Sequence, residues 1–340
     1  MPNNPTKILL SMTLIGGILI SISSNSWLGA WMGLEINLMS FIPLMSSQEN
    51  IFTTEASLKY FVIQALASSV LLFLVAMKTL INQGFMVEGS LHEYVIMTPL
   101  LLKMGAAPLH WWFPSVMEGL SWENCLLMMT VQKAAPMMLT SYLMKINPLI
   151  LTIVIMSVMV GSIGGMNQTS LRKILTYSSI NHTGWMLMAL MDGKNLWMMY
   201  FMVYSLLTLT MATIMKMHNI SFINQMLSTN GKTTIKFMLF MTLLSLGGLP
   251  PFIGFLPKWT VIQTMIMNDL SVVMTVMVIM SLMTLYYYLR VCYSSFIILH
   301  NEMKWGPQMF KVSEMIMYGV ILSSTSMMGL VVCTMITNIN

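Results

Sequence analysis

Four ionisable residues lie inside long apolar stretches of this sequence: Glu35, Lys103, Lys133 and Lys258. A charged side chain at the centre of a lipid bilayer costs about 2.5–3.5 kcal/mol, so such residues are expected to be paired or hydrated and to serve a function. An amine that leaves water releases its proton more readily, and a neighbouring carboxylate restores its charged form. These residue types therefore predict a proton relay.

Two further residues, Lys59 and His182, are weaker candidates for the same relay. Lys59 lies three residues inside its apolar run, where a lysine can equally well extend its ammonium to the membrane surface. His182 belongs to the polar strip Ser178-Ser179-Ile180-Asn181-His182-Thr183, which could line water or join two helices through hydrogen bonds. Both interpretations stay open for each residue.

Glycine and proline interrupt two of the apolar runs beside these lysines. The pattern G-x-x-P-x5-P occurs at Gly105–Pro114 and again at Gly248–Pro257, 143 residues later. Proline breaks a helix, and a broken backbone persists at membrane depth only where protein or water satisfies it. Two interrupted segments at corresponding positions of two halves indicate the central site of a transporter. We therefore expect two discontinuous helices next to a wet cavity.

The composition is that of a membrane protein. Of the 340 residues, 56% are hydrophobic and only 8% are charged, whereas soluble domains have about 25% charged residues. Apolar runs of spanning length predict an all-α polytopic membrane protein with about eleven transmembrane helices. They lie near residues 7–24, 26–45, 57–80, 92–112, 122–144, 149–167, 171–190, 195–216, 235–268, 271–299 and 313–336.

The spacing of the two interruptions divides this single membrane domain into two repeats and one additional helix. Spans one to five (7–144) and six to ten (149–299) form five-helix repeats, and 313–336 follows them. Because five is odd, the second repeat enters the membrane from the opposite side, so the repeats are expected to be inverted. Eight basic residues fall on the N-terminal side and three on the other, which predicts an N-terminus in the matrix or cytoplasm.

Several classes of function are disfavoured. The net charge of +5 is spread over loops and helix ends, so no nucleic-acid site is predicted. The sequence has neither C-x-x-C nor G-x-G-x-x-G, so no metal, iron–sulfur, nucleotide or flavin site is expected. The 43 methionines fit mitochondrial genetic codes in which ATA encodes methionine. No cleavable presequence is visible, and synthesis inside the organelle would need none.

Five motifs resemble those of one known family. They are G-L-E-I-N-L at Glu35, K-x-G-x-A-P-x-H-x-W at Lys103, Q-K-x-x-P at Lys133, S-S-I-x-H-x-G-W at His182 and G-G-L-P-P-x-x-G-F-x-P-K-W at Lys258. Together they resemble the NADH dehydrogenase subunit 2 family, the antiporter-like membrane subunits of mitochondrial respiratory complex I. The resemblance covers nearly the whole chain. The methionine content of the chain is similar to that of invertebrate members of the family.

The resemblance implies a proton-translocating subunit of the mitochondrial inner membrane without a redox centre of its own. NADH, FMN, iron–sulfur clusters and ubiquinone would be bound elsewhere in the complex. Glu35 and Lys103 would be an interacting pair, Lys133 the central lysine, and Lys258 the lysine nearest the exit. The implied partners are a neighbouring antiporter-like subunit, small membrane subunits, and lipids such as cardiolipin. Bacterial relatives have fourteen spans, so this chain looks shortened at its N-terminus.

Two other functions compete with this one: a self-standing cation/proton antiporter, and a structural scaffold of the membrane arm. The sequence has no intramembrane aspartate to bind sodium, and its mid-depth carboxylate, Glu35, has a lysine with which to pair. Those two observations disfavour the antiporter. The cost of the buried lysines disfavours the scaffold.

Overall fold

The computed structural model describes residues 5–47, 50–81, 89–144, 147–228, 233–293, 319 and 323–329. These residues are almost entirely helical and contain no β-strand, only an isolated bridge between Ser170 and Phe222. The helices are α1 (Pro5–Ser23), α2 (Trp27–Met45), α3 (Ile51–Ile81), α4 (Gly89–Met104), α5 (Trp112–Gly119), α6 (Trp122–Met129), α7 (Val131–Ser141), α8 (Pro148–Gly165), α9 (Leu171–Asp192), α10 (Lys194–His218), α11 (Ile223–Ser228), α12 (Thr233–Gly247), α13 (Phe255–Met267) and α14 (Ser271–Tyr293). The predicted all-α class is thereby confirmed.

Six of these helices are long and apolar enough to cross a membrane by themselves: α1, α2, α3, α8, α10 and α14. The other predicted spans within the described residues are either interrupted, as α4–α5, α6–α7 and α12–α13 are, or carry the polar strip of α9. The eleventh predicted span, 313–336, lies largely outside the described residues. The number of eleven therefore stays a prediction.

Both predicted helix breaks are present, and they have the same local structure. Helix α4 ends before Gly105, whose φ is 71°, and α12 ends before Gly248, whose φ is 79°. In each case the glycine N–H bonds the carbonyl three residues back, and the next N–H bonds the carbonyl five residues back. This pair of bonds is the Schellman motif, which requires the left-handed backbone that glycine adopts without strain.

The fifth predicted span differs from its prediction. The apolar run predicts one span over 122–144, but the helix is interrupted at Thr130, between α6 and α7, and Pro136 lies inside α7. The Thr130 hydroxyl donates a 2.8 Å hydrogen bond to the Leu126 carbonyl. Threonines that bond the carbonyl four residues back often bend a helix, and the apolar pattern of the sequence did not reveal this interruption.

The chain forms two compact units, Met1–Ile153 (unit 1) and Val154–Asn340 (unit 2). In unit 1, α2 packs against α1 and α3, and α4 packs against α3 and α7. In unit 2, α9 and α12 each pack against α10, and α13 packs against α9 and α10. The predicted division into repeats 7–144 and 149–299 stays a prediction.

Each unit contains a helix crossing in which a glycine allows two backbones to touch. A Cβ on Gly33 of α2 would lie 2.5 Å from the Ser21 nitrogen of α1, and one on Gly161 of α8 would lie 2.5 Å from the Asn181 nitrogen of α9. Small residues at such crossings let membrane helices approach closely. The crossings hold Asn37 and Asn181 in the protein interior, where both are buried.

We expect Gly33→Ala to destabilise unit 1 by about 1–3 kcal/mol, the usual cost of overpacking. The matched control is Gly16→Ala on the same pair of helices, because a Cβ at Gly16 would meet nothing within 4 Å. The thermal unfolding midpoint of the purified protein in detergent measures the difference. Equal midpoints for the two variants would contradict the close crossing of α1 and α2.

Candidate functional site

Lys103 lies in the last turn of α4, directly before the first break, and only 7% of its surface is exposed. It borders a small cavity of about 10 Å³, which is the room that one water molecule needs. The cavity is lined by Leu34, Asn37, Leu38, Tyr60, Gln64, Lys103, Gln132 and Pro136. The residues around the amine are thus mostly polar, and they come from α2, α3 and α7.

Hydrogen bonds between these polar side chains fix the walls of the cavity. The Tyr60 hydroxyl donates to Oε1 of Gln132 at 3.3 Å, and Nε2 of Gln132 donates to Oδ1 of Asn37 at 3.0 Å. Nε2 of Gln64 donates to the backbone carbonyl of Lys103 at 3.3 Å. That carbonyl is one of the last four of α4, which have no partner within the helix. The amides therefore hold both the lysine backbone and its surroundings in place.

Glu35 lies on α2, two residues before Asn37, and is half-buried. Its charge acts on Lys103, but among the described residues the two groups do not form an ion pair within 4.0 Å. The interaction still acts beyond contact distance, because the buried surroundings screen it less than water would.

Lys133 on α7 is more buried than Lys103 and Lys258, with 1% of its surface exposed. Its ammonium lies 4.9 Å from the centre of the Phe113 ring, at the distance of a cation–π interaction. Phe113 in turn contacts Gly105, since a Cβ on that glycine would lie 3.3 Å from Cβ of Phe113. The first helix break and the central lysine are therefore in contact through one aromatic side chain.

Lys258 lies on α13, directly after the second break, and is also buried. Its Nζ donates a 2.8 Å hydrogen bond to the carbonyl of Gly247, the last residue of α12. A helix C-terminus carries unpaired carbonyls and about half a negative charge. This helix end takes the place of a carboxylate, and the ammonium also lies 6.0 Å from the centre of the Trp185 ring.

The remaining two candidates have different surroundings. The Lys59 side chain is 47% exposed and forms a 2.7 Å ion pair with Glu55 one turn earlier on α3, so the structure does not bring it to the Lys103 cavity. His182 is buried on α9, and its Nδ1 lies 2.9 Å from the Tyr200 hydroxyl. The tyrosine contact was not predicted from the sequence.

Sequence reasoning also missed the residues that line the Lys103 cavity. Asn37, Gln64 and Gln132 are buried or half-buried polar residues within apolar runs, which is the signal that could have identified them. Tyr60 gives no comparable signal, since a tyrosine in an apolar run is ordinary packing.

Within the described residues, no group of three histidine, cysteine, aspartate or glutamate side chains is arranged to hold a metal ion. The expectation that this chain binds no metal or cofactor stays a prediction. What the described geometry provides is a set of buried amines, each with a different acceptor or aromatic neighbour.

Comparison with known proteins adds independent information. A family model described as NADH:quinone oxidoreductase/Mrp antiporter, TM, matches residues 24–284. The chain is 49% identical over 326 residues to NADH-ubiquinone oxidoreductase chain 2 of Anopheles gambiae, covering 95% of each chain. It is 44% identical over 335 residues to the protein of that name from Locusta migratoria, covering 98% of this chain and 97% of the other.

A solved structure is similar over nearly the whole fold. A chain in respiratory complex I from Thermus thermophilus with bound Aureothin matches with a TM-score of 0.81 at 24% identity. The match covers 96% of this chain and 79% of that chain. At this level of identity the similarity shows a common fold.

Proposed function

The chain belongs to the NADH:quinone oxidoreductase/Mrp antiporter family of transmembrane proteins, and from that premise we propose that it is a proton-translocating subunit of the membrane arm of respiratory complex I. It is part of the proton-translocating NADH:ubiquinone reductase and contributes proton translocation, not the redox chemistry. The family expected from the five sequence motifs is confirmed by relatives that match nearly the whole chain, insect proteins among them.

The observation that carries the mechanism is the pair of breaks, each with a buried lysine beside it. We propose that Glu35 stabilises the protonated form of Lys103, and that weakening this electrostatic interaction sends the proton to Lys133. From there the proton would reach Lys258 and leave the membrane. Support comes from the burial of all three lysines and from the electrostatic action of Glu35 on Lys103.

The energies involved are adequate for pumping. Moving one proton against a potential of 100 mV costs about 2.3 kcal/mol. A tenfold change in the proton affinity of a site corresponds to about 1.4 kcal/mol. Modest changes in the surroundings of two buried lysines therefore supply a comparable free energy.

The chain is a multi-pass membrane protein, and the animal relatives indicate a mitochondrial one. The inner membrane as location and an N-terminus on the matrix side are part of the proposal. The excess of basic residues on the N-terminal side supports that orientation.

The partners we propose are other membrane subunits of the same complex, including a neighbouring antiporter-like subunit and small subunits, with lipids such as cardiolipin at the remaining surface. The exposed apolar side chains of α1 and α3, such as Leu9, Met12 and Leu66, fit such surroundings. NADH, FMN, iron–sulfur clusters and ubiquinone would be bound by other subunits.

A sodium-free transport assay tests the function. Proteoliposomes that contain the intact complex should take up protons on addition of NADH and ubiquinone without any sodium present. The purified chain alone should not exchange sodium for protons across the same membrane. Sodium-dependent exchange by the isolated chain would support the self-standing antiporter and contradict the complex I function.

A further inference from the structure

Unit 2 contains four buried tyrosines that the relay described above does not use: Tyr200 and Tyr204 on α10, and Tyr287 and Tyr288 on α14. Each has at most 3% of its surface exposed. A buried hydroxyl without a good hydrogen bond costs about 1–3 kcal/mol, whereas phenylalanine would fill the same volume without that cost. Packing alone therefore does not explain why these four residues, which we name the tyrosine cluster, are tyrosines and not phenylalanines.

The tyrosine cluster is continuous with His182 on α9. The Tyr200 hydroxyl is 2.9 Å from Nδ1 of His182, and the Tyr204 ring centre is 5.1 Å from that of the imidazole. Tyr200 and Tyr204 lie within electrostatic range of Tyr288, and the rings of Tyr287 and Tyr288 are 4.7 Å apart. Polar groups from three helices thus form one connected set.

The polar strip of α9 faces the same set. Ser179 contacts the Tyr204 hydroxyl, and Ser178 lies beside the Tyr288 hydroxyl. The sequence allowed two interpretations of this strip, as a lining for water or as a link between helices. In the structure the strip contacts hydroxyl groups of α10 and α14.

Hydrogen bonding in the tyrosine cluster is incomplete. Among the described residues, the hydroxyls of Tyr287 and Tyr288 and Oδ1 of Asn181 are buried without a well-aligned partner, although Tyr288 is close to Ser178 and Tyr287. Buried polar atoms in folded proteins are almost always satisfied, often by ordered water. An ordered water molecule at each of these three oxygens would complete its hydrogen bonding.

An open cavity of about 460 Å³ adjoins one end of the tyrosine cluster. It is lined by Asn167, Gln168, Thr169, Ile223, Arg290 and Val291. Arg290 and Val291 follow Tyr287 and Tyr288 by three residues, so each pair shares one face of α14. The Tyr287 ring also contacts Gly165, two residues before Asn167, since a Cβ there would lie 2.8 Å from it.

The other end of the tyrosine cluster leads to Lys258. Trp185 follows His182 by three residues on α9, and its ring centre is 6.0 Å from the Lys258 ammonium. The cavity residues Arg290 and Val291 thus lie one helical turn beyond the tyrosines on α14, and Trp185, next to Lys258, lies one turn beyond His182 on α9.

We propose that the tyrosine cluster, Ser178, Ser179 and His182 hold a chain of water molecules that admits protons from the cavity at Arg290 to Lys258. Each oxygen along the chain accepts a proton on a lone pair and releases its own to the next, so no hydroxyl changes its net state. His182 binds a proton on one ring nitrogen and releases one from the other. Arg290 lies at the cavity end of the chain, and at the other end the neutral Lys258 amine accepts the proton on its lone pair. This path rests on the proposed function and adds a second access route to it.

The test is the double variant Tyr287→Phe/Tyr288→Phe in the assembled complex, with Tyr286→Phe as control. The control residue is the next one on α14 and is 53% exposed. We expect the double variant to lower the number of protons translocated per electron and to raise the ratio of pumping rates in H₂O and D₂O severalfold, because proton access becomes rate-limiting. The control should change neither quantity, and electron transfer from NADH to an artificial acceptor should be normal in both.

An unchanged proton ratio and isotope effect in the double variant would overturn the path. If the double variant fails to assemble, a high-resolution map of the unmodified complex decides: ordered water beside the Tyr287 and Tyr288 hydroxyls supports the path, and dry packing overturns it. Normal pumping by the double variant together with failed pumping by Lys133→Ala would remove only this path. Normal pumping by Lys133→Ala would remove the proposed function itself.

Discussion

Lys133→Ala in the assembled complex is expected to reduce proton translocation and coupled ubiquinone reduction by about tenfold or more, the scale on which a positioned proton-transfer group contributes. The reason is that Lys133 is almost completely buried on α7 and no other amine shares its place beside Phe113 among the described contacts. Electron transfer from NADH to an artificial acceptor should stay intact, because that chemistry takes place on other subunits. The measurements are protons per electron in sealed vesicles and the rate with the acceptor.

Two comparisons sharpen this experiment. Lys133→Arg should not restore pumping, because arginine keeps its proton under all physiological conditions. Lys194→Ala serves as the control, since this lysine is exposed at the start of α10. A Lys133→Ala complex that assembles and pumps at the full proton-to-electron ratio would refute the relay.

The second large effect is expected at the other break. Lys258→Met keeps the length and volume of the side chain but removes the donor that bonds the Gly247 carbonyl at 2.8 Å. The carbonyl then remains buried without that partner, and the relay lacks its last amine, so we expect proton translocation to fall by about tenfold or more. Stability should decrease at the same time, by about 1–3 kcal/mol.

Gly248→Ala is the matched perturbation for Lys258. Gly248 has a φ of 79°, and a Cβ there would lie 3.0 Å from Nζ of Lys258. The variant keeps the amine but displaces it from the helix end, so pumping should fall while the number of titratable lysines is unchanged. Gly247→Ala is the control, because its Cβ would make only an ordinary 3.6 Å contact with Tyr288. Equal pumping by Lys258→Met and the unmodified complex would exclude Lys258 from the relay.

The sequence predicted correctly those features that depend on single residues and their immediate neighbours. Glycine with proline three residues later predicted both breaks, because left-handed backbone and a missing N–H are properties of single residues. The burial of Lys103, Lys133 and Lys258 was predictable because each lies within an apolar run of spanning length. A lysine at that depth is expected to be buried inside the protein. The interruption at Thr130 was missed, because the apolar pattern continues through it without any periodic signal.

Contacts between distant segments could not be read from the sequence. Gln132 meets Asn37 and Tyr60, which are far away along the chain, and nothing in either segment specifies the other. For Tyr287 and Tyr288 the sequence alone favours packing, as it does for other aromatic residues in an apolar helix. Two contacts distinguish them from ordinary core residues: Ser178 lies beside the Tyr288 hydroxyl, and an open cavity begins one helical turn beyond them at Arg290 and Val291.

The position of each lysine relative to its break determines which movement it can sense. Lys103 and the carbonyls at the end of α4 belong to the same rigid segment, so bending at Gly105 carries them together. Lys258 is attached to α13, whereas its acceptor, the Gly247 carbonyl, terminates α12. Bending at Gly248 therefore stretches or closes that hydrogen bond directly. A hinge motion at the second break therefore changes the surroundings of its lysine directly. At the first break, the surroundings of Lys103 change only when the helices that carry Glu35 and Gln64 are displaced relative to α4.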